Sequence, residues 1–148
     1  MKIVITIIAV VVSLISIYSF KTPSKTIIKS EEGIQFFTGT WQQALDKAKK
    51  ENKLIFLDAY ASWCGPCKKM KHKTFTDKSV GDFYNKHFIN VAIDMEKGEG
   101  PVLAEKFGVE AYPTLVFVKA DGKFLGKTTG FHNVDQFLEL GQKAITLK

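Results

Sequence analysis

The sequence predicts an α/β fold: a mixed central β-sheet with helices on both faces, preceded by an N-terminal hydrophobic segment. Three observations carry that expectation. Apolar runs at 54–57, 88–94 and 114–118 read as strands, the first two buried on both faces. The stretches between them repeat apolar residues at helical spacing behind capping residues. Asp121-Gly122 marks a tight hairpin turn into a further strand at 123–127.

Residues 3–20 form 18 consecutive uncharged positions, rich in Ile and Val. As a helix they would span about 27 Å, close to a hydrocarbon core. Lys2 precedes them and a polar stretch follows, the pattern of an export segment. The best cleavage frame is Ile17-Tyr18-Ser19, cutting before Phe20. One count pulls the other way: Lys21, Lys25 and Lys29 follow the segment, whereas only Lys2 and the amino terminus precede it. The chain therefore divides into a signal peptide or signal anchor at 1–20, a linker at 21–33 and a folded domain at 34–148. Export to the periplasm, or anchoring at the outer face of the cytoplasmic membrane, is the expected location, with membrane contact only through residues 3–20 if they are retained.

Within the domain, 34–37 reads as a short strand. Thr40 and Gln43 form a capping box in front of a helix whose apolar stripe is Trp41, Ala44, Leu45 and Ala48. Lys47, Lys49, Lys50 and Glu51 fall on its outer face. A second helix is expected from Cys64 to His72. Thr76 or Asp77 caps a third, with Val80, Phe83, Tyr84 and His87 on one face. A short helix at 101–107 should stop at Gly108. Asn133 with Gln136 caps the last helix, with Val134, Phe137, Leu138 and Ile145 inward.

Composition narrows the function classes. The chain has 148 residues, 45% of them hydrophobic, enough to bury a core. Its formal charge of +6 invites nucleic acid, yet every basic residue is a lysine and none is an arginine. The planar fork suited to phosphates and base edges is missing, so nucleic-acid binding is not expected. Two cysteines, Cys64 and Cys67, exclude a disulfide scaffold and a four-cysteine zinc site.

Those cysteines stand two residues apart at a strand-to-helix junction, separated by Gly65 and Pro66. One helical turn holds such a pair at a distance a disulfide can close. The helix N-terminus offers partial positive charge and free N–H donors, which favour the thiolate of the first cysteine. Cys64 is accordingly expected to be the exposed nucleophile, and Cys67 the more buried resolving thiol. A plain staple is the alternative, although so short a loop constrains the unfolded chain little. A metal site would need a third ligand such as His72. Asp58, six residues before Cys64, reads either as a buried acid able to take a proton from Cys67 or as a strand-end turn cap. Trp63 reads as a shield for the sulfur and a partner contact, or as a core aromatic. Tyr112-Pro113 leads directly into a strand and is a candidate cis peptide, beside which backbone groups would be free for an extended substrate.

The segment Trp63-Cys64-Gly65-Pro66-Cys67-Lys68 resembles the active-site motif of the thioredoxin superfamily. Asp58, Tyr112-Pro113-Thr114 and Asp121-Gly122 fall where that fold has its buried acid, its cis-proline and its last hairpin. The resemblance covers about 34–147. It implies a thioredoxin-like fold, a cis Pro113, Asp58 as internal proton acceptor, and a substrate surface at Trp63, Gly65, Pro66, Tyr112 and Pro113. No cofactor is expected, and no metal site either, since a fourth ligand is not evident in the sequence. Two departures stand out. His72 occupies the position where the family usually has a helix-kinking proline. The segment 73–80 is similar to thioredoxin-like domains of exported thiol:disulfide interchange proteins, which implies a membrane thiol-disulfide electron donor. The expected activity is reduction of disulfide-containing proteins, with an oxidase or isomerase, or a thioredoxin-like chaperone or metal-handling module, as alternatives.

Overall fold

The computed structural model describes residues 33–148, so the hydrophobic segment at 3–20 and the linker up to residue 32 lie outside the described residues. Five helices and four strands follow in the order α1 (Trp41–Glu51), β1 (Leu54–Tyr60), α2 (Gly65–Lys73), α3 (Lys78–His87), β2 (Phe88–Asp94), α4 (Gly100–Phe107), β3 (Thr114–Val118), β4 (Phe124–Thr129) and α5 (Val134–Thr146). Among the described residues no helix is long and apolar enough to cross a membrane.

Local chemistry sets most boundaries. The Thr40 and Gln43 side chains each accept from the other's backbone N–H at the start of α1, and Asn133 with Gln136 repeats the arrangement at α5. Asp77 caps α3 through the backbone N–H groups of Ser79 and Val80. Gly108, at φ 60°, ends α4 in the left-handed region that glycine enters without a Cβ penalty.

The sheet order is β2-β1-β3-β4. β1 runs parallel to β2 and antiparallel to β3, and β3 is antiparallel to β4, so the sheet is mixed. Alternation along the strands divides the interior in two. Ile55, Leu57, Val91, Val116 and Val118 face α1 and α4. Leu54, Phe56, Leu115 and Phe117 face α2, α3 and α5, in a core rich in aromatics. There the Tyr84 and Phe137 rings stack at 4.1 Å, and the Tyr84 hydroxyl donates to the Phe137 carbonyl. Helices thus cover both faces.

Three expectations are corrected. The strand at 34–37 is reduced to one parallel bridge, Phe36 with Asn90. Its backbone donors are drawn elsewhere: Ile34 N–H to the Phe75 carbonyl and Gln35 N–H to the Asn85 side chain. The strand expected at 123–127 is displaced to 124–129, because Lys123 remains in the turn with its N–H on the Asp121 carboxylate. In α5, Val134, Leu138 and Ile145 are only partly buried, and Gly141 and Ala144 share the buried face with Phe137.

The register brings three chain segments to one end of the sheet. Ala59, near the end of β1, pairs with Thr114 at the start of β3, which places Tyr112-Pro113 beside the segment leaving β1. Tyr60 pairs with Asp94, which brings the loop after β2 to the same end.

Candidate active site

β1 delivers the chain through Ala61 and Ser62 to Cys64, which is the N-cap of α2. Its backbone is extended, with ψ at 115°, and its Sγ accepts the Cys67 N–H at 3.1 Å. A cysteine sulfur therefore does what a serine or aspartate oxygen does at an ordinary cap. Pro66 fits the first turn, where its missing N–H costs nothing. Cys64 and Cys67 are joined as a disulfide with Cα atoms 5.4 Å apart.

The relative exposure of the two cysteines differs from expectation. Cys64 is 2% exposed and Cys67 6%, so in the disulfide form both residues are buried and the first is not the more open. The capping geometry folds its Sγ back over the helix N–H groups, and Tyr60 and Tyr112 pack against the cluster of Ala61, Cys64 and Cys67. Gly65 and Pro66 are exposed beside it.

Strand parity puts Asp58 on the same face as Leu54 and Phe56, the face covered by α2. It is 7% exposed, and its Oδ1 has no hydrogen-bond partner among the described residues. Burial pushes the carboxyl up from 3.8 to about 7, while the Lys71 ammonium pulls in the opposite direction. A cleft of about 450 Å3 is lined by Asp58, Cys67, Lys71 and Tyr60, among others. Asp58 is thus a buried acid rather than a turn cap.

Trp63 is 66% exposed and is not a core aromatic. Its indole Nε1–H donates to both Glu96 carboxylate oxygens, at 3.0 and 3.1 Å, and its ring meets the Tyr112 ring edge-on at 5.9 Å. The Tyr112-Pro113 peptide is cis. The Pro113 carbonyl is not free, because it accepts from Gly130 N–H at 2.8 Å. The surface around the disulfide is therefore made of Trp63, Gly65, Pro66 and Tyr112, with Pro113 at the head of β3.

His72 is exposed on α2, which runs unbroken to Lys73 without the proline. Among the described residues no three His, Cys, Asp or Glu side chains converge as metal ligands would. Sequence reasoning missed two residues at the site. Glu96 carries no local signal, since only the β1–β2 register brings it to Trp63. Lys71 was legible in principle: four residues after Cys67, it falls on the same helix face.

The description "thioredoxin-like domain" fits this geometry, and a model of that family matches residues 41–145. The chain belongs to the thioredoxin-like family. It is 42% identical over 95 residues to thioredoxin H4 of Arabidopsis thaliana, an alignment covering 64% of this chain and 75% of the plant protein. It is 31% identical over 128 residues to the thiol:disulfide interchange protein DsbD of Tatumella citrea, covering 82% of this chain but 22% of that much longer protein. Among solved structures it is similar to a candidate disulphide-isomerase from Bacteroides thetaiotaomicron, at 39% identity and a TM-score of 0.70, covering 77% of this chain and 94% of that one. The oxidised C-terminal domain of Neisseria meningitidis DsbD is also similar, at 27% identity and a TM-score of 0.61, covering 74% and 99% respectively. With its cysteine pair at disulfide distance, this member of the thioredoxin-like family is a thiol:disulfide oxidoreductase.

Proposed function

We propose that the chain is an exported reductase of protein disulfides, with Cys64 as nucleophile, Cys67 as resolving thiol and Asp58 as proton acceptor. One observation carries this reading: the Cys64 sulfur caps α2 and accepts a backbone N–H, while Cys67 shares a cleft with the buried Asp58 carboxyl, whose Oδ1 has no hydrogen-bond partner among the described residues. In the reduced protein the same N–H groups stabilise a Cys64 thiolate. That thiolate attacks one sulfur of a substrate disulfide; a Cys64–substrate bond forms, and the other substrate sulfur leaves as a thiolate. The substrate chain lies against Trp63, Gly65, Pro66, Tyr112 and Pro113. Asp58 then takes the Cys67 proton, and the Cys67 thiolate attacks Cys64 Sγ. The internal disulfide forms, the second substrate sulfur leaves, and two electrons have passed from protein to substrate.

The apolar run at 3–20 supports export, as does the segment at 73–80, similar to exported interchange domains. Gly65-Pro66 between the cysteines resembles the reducing members of the family. A membrane thiol-disulfide protein is the fitting electron donor, since an exported dithiol must be reduced again from outside its own chain.

Isomerisation is the second reading, favoured by the 39% identity to the Bacteroides protein. One set of measurements separates them. Cys64→Ser should abolish exchange with a disulfide-linked peptide, and Cys67→Ser should hold that peptide covalently on Cys64. Titration against glutathione should give a potential near that of reducing thioredoxins, about −270 mV, whereas a value near about −180 mV supports the isomerase. Exchange that survives Cys64→Ser contradicts both.

A further inference from the structure

The opening beside Asp58 exists because the first segment of the domain meets β2 at a single point. Phe36 bridges Asn90, two residues short of Ala92, which stands level with Asp58 and remains exposed. The cleft behind this gap brings together an Asp58 Oδ1 without a hydrogen-bond partner among the described residues, Cys67, and Lys71 four residues further along α2. The other ionisable groups lining it are Lys68 on α2 and Tyr60 on β1. The residues level with Asp58 on β2 and β3 are Ala92 and Leu115, which do not titrate. Of the two lysines lining the cleft, Lys71 is the one whose charge opposes the effect of burial on Asp58.

Resting on the exchange reading above, we propose that Lys71 is a positioning residue for the reaction: its ammonium keeps Asp58 available as the carboxylate that receives the Cys67 proton, and the cleft is where that proton returns to water. The proton passes from Cys67 Sγ to an Asp58 oxygen as Cys67 attacks the mixed disulfide. It then passes from Asp58 to solvent at the gap beside Ala92, which restores the carboxylate for the next cycle. Lys71 makes and breaks no bond. It acts through the charge state of Asp58.

The test uses the full chain labelled with 13C at aspartate carboxyls, the Asp58 signal being the one absent from Asp58→Asn. Lys71→Gln should move the Asp58 titration midpoint up by about half a unit, Lys71→Glu further, and Lys71→Arg should restore it. In stopped-flow kinetics, resolution of a peptide mixed disulfide on Cys64 should slow about threefold near pH 6.5 in Lys71→Gln and recover at pH 9. A merely structural lysine would not give that pH profile. Midpoints unchanged in both Lys71→Gln and Lys71→Glu overturn the proposal, even where Asp58→Asn slows exchange. Full exchange in Asp58→Asn overturns the proton-acceptor role and the proposal with it, whereas exchange in Cys64→Ser overturns the underlying reading itself.

Discussion

Asp58 is where the cost of the site can be read as a stability. Its carboxyl is uncharged at low pH in both folded and unfolded chains. Between 3.8 and about 7 the unfolded chain has released the proton and the folded one has not. Stability is therefore fullest below the unfolded value and is lost as pH rises through the folded one. The interval corresponds to roughly 4 kcal/mol if fully expressed. Asp58→Asn should accordingly stabilise the oxidised protein by about 2–4 kcal/mol at pH 8, the gain shrinking toward zero near pH 4. Urea denaturation at the two pH values checks this, and an equal effect at both would place the carboxyl outside the buried site. The same side chain was legible in the sequence as an alternative, and only strand parity with Leu54 and Phe56 decides it. Cys64 was less legible. Its type and spacing announced the chemistry, but its burial depends on Tyr60 and Tyr112, and Tyr112 is distant in sequence.

Helices and strands followed the sequence where their causes are local. Both capping boxes, the Asp77 cap and the Gly108 stop use residues within four positions of one another. The exceptions have remote causes. The 34–37 segment looks like a strand until Phe75 and Asn85 claim its donors. That segment is also held from the side of α3, where a Cβ on Gly81 would collide with the Gly33 carbonyl. Gly33 itself sits at φ 97°, where a side chain is strained. Gly81→Ala should therefore lower stability by about 1–3 kcal/mol despite the higher helix propensity of alanine. Thermal unfolding of the variant measures it. A stabilised variant would show that α3 and the segment at Gly33 are not packed this closely.

Across the described domain as a whole, the mixed sheet does the assembling. The parallel β1–β2 pairing and the antiparallel β1–β3 pairing bring the cysteine motif, the Glu96 loop and Tyr112-Pro113 to one end. The two cores pack against the sheet on either side of that end. The sequence predicted both the fold and the cysteine pair, because hydrophobic alternation and the Cys-x-x-Cys spacing are written along the chain. It did not predict the cleft, which depends on a pairing that fails to form beside Ala92. All of the proposed chemistry requires that α2 make the Cys64 sulfur anionic. The rate of alkylation of the reduced Cys67→Ala protein against pH measures that directly. A midpoint clearly below the free-cysteine value of about 8.5 is expected; a midpoint at or above about 8.5 would contradict an anionic Cys64 sulfur.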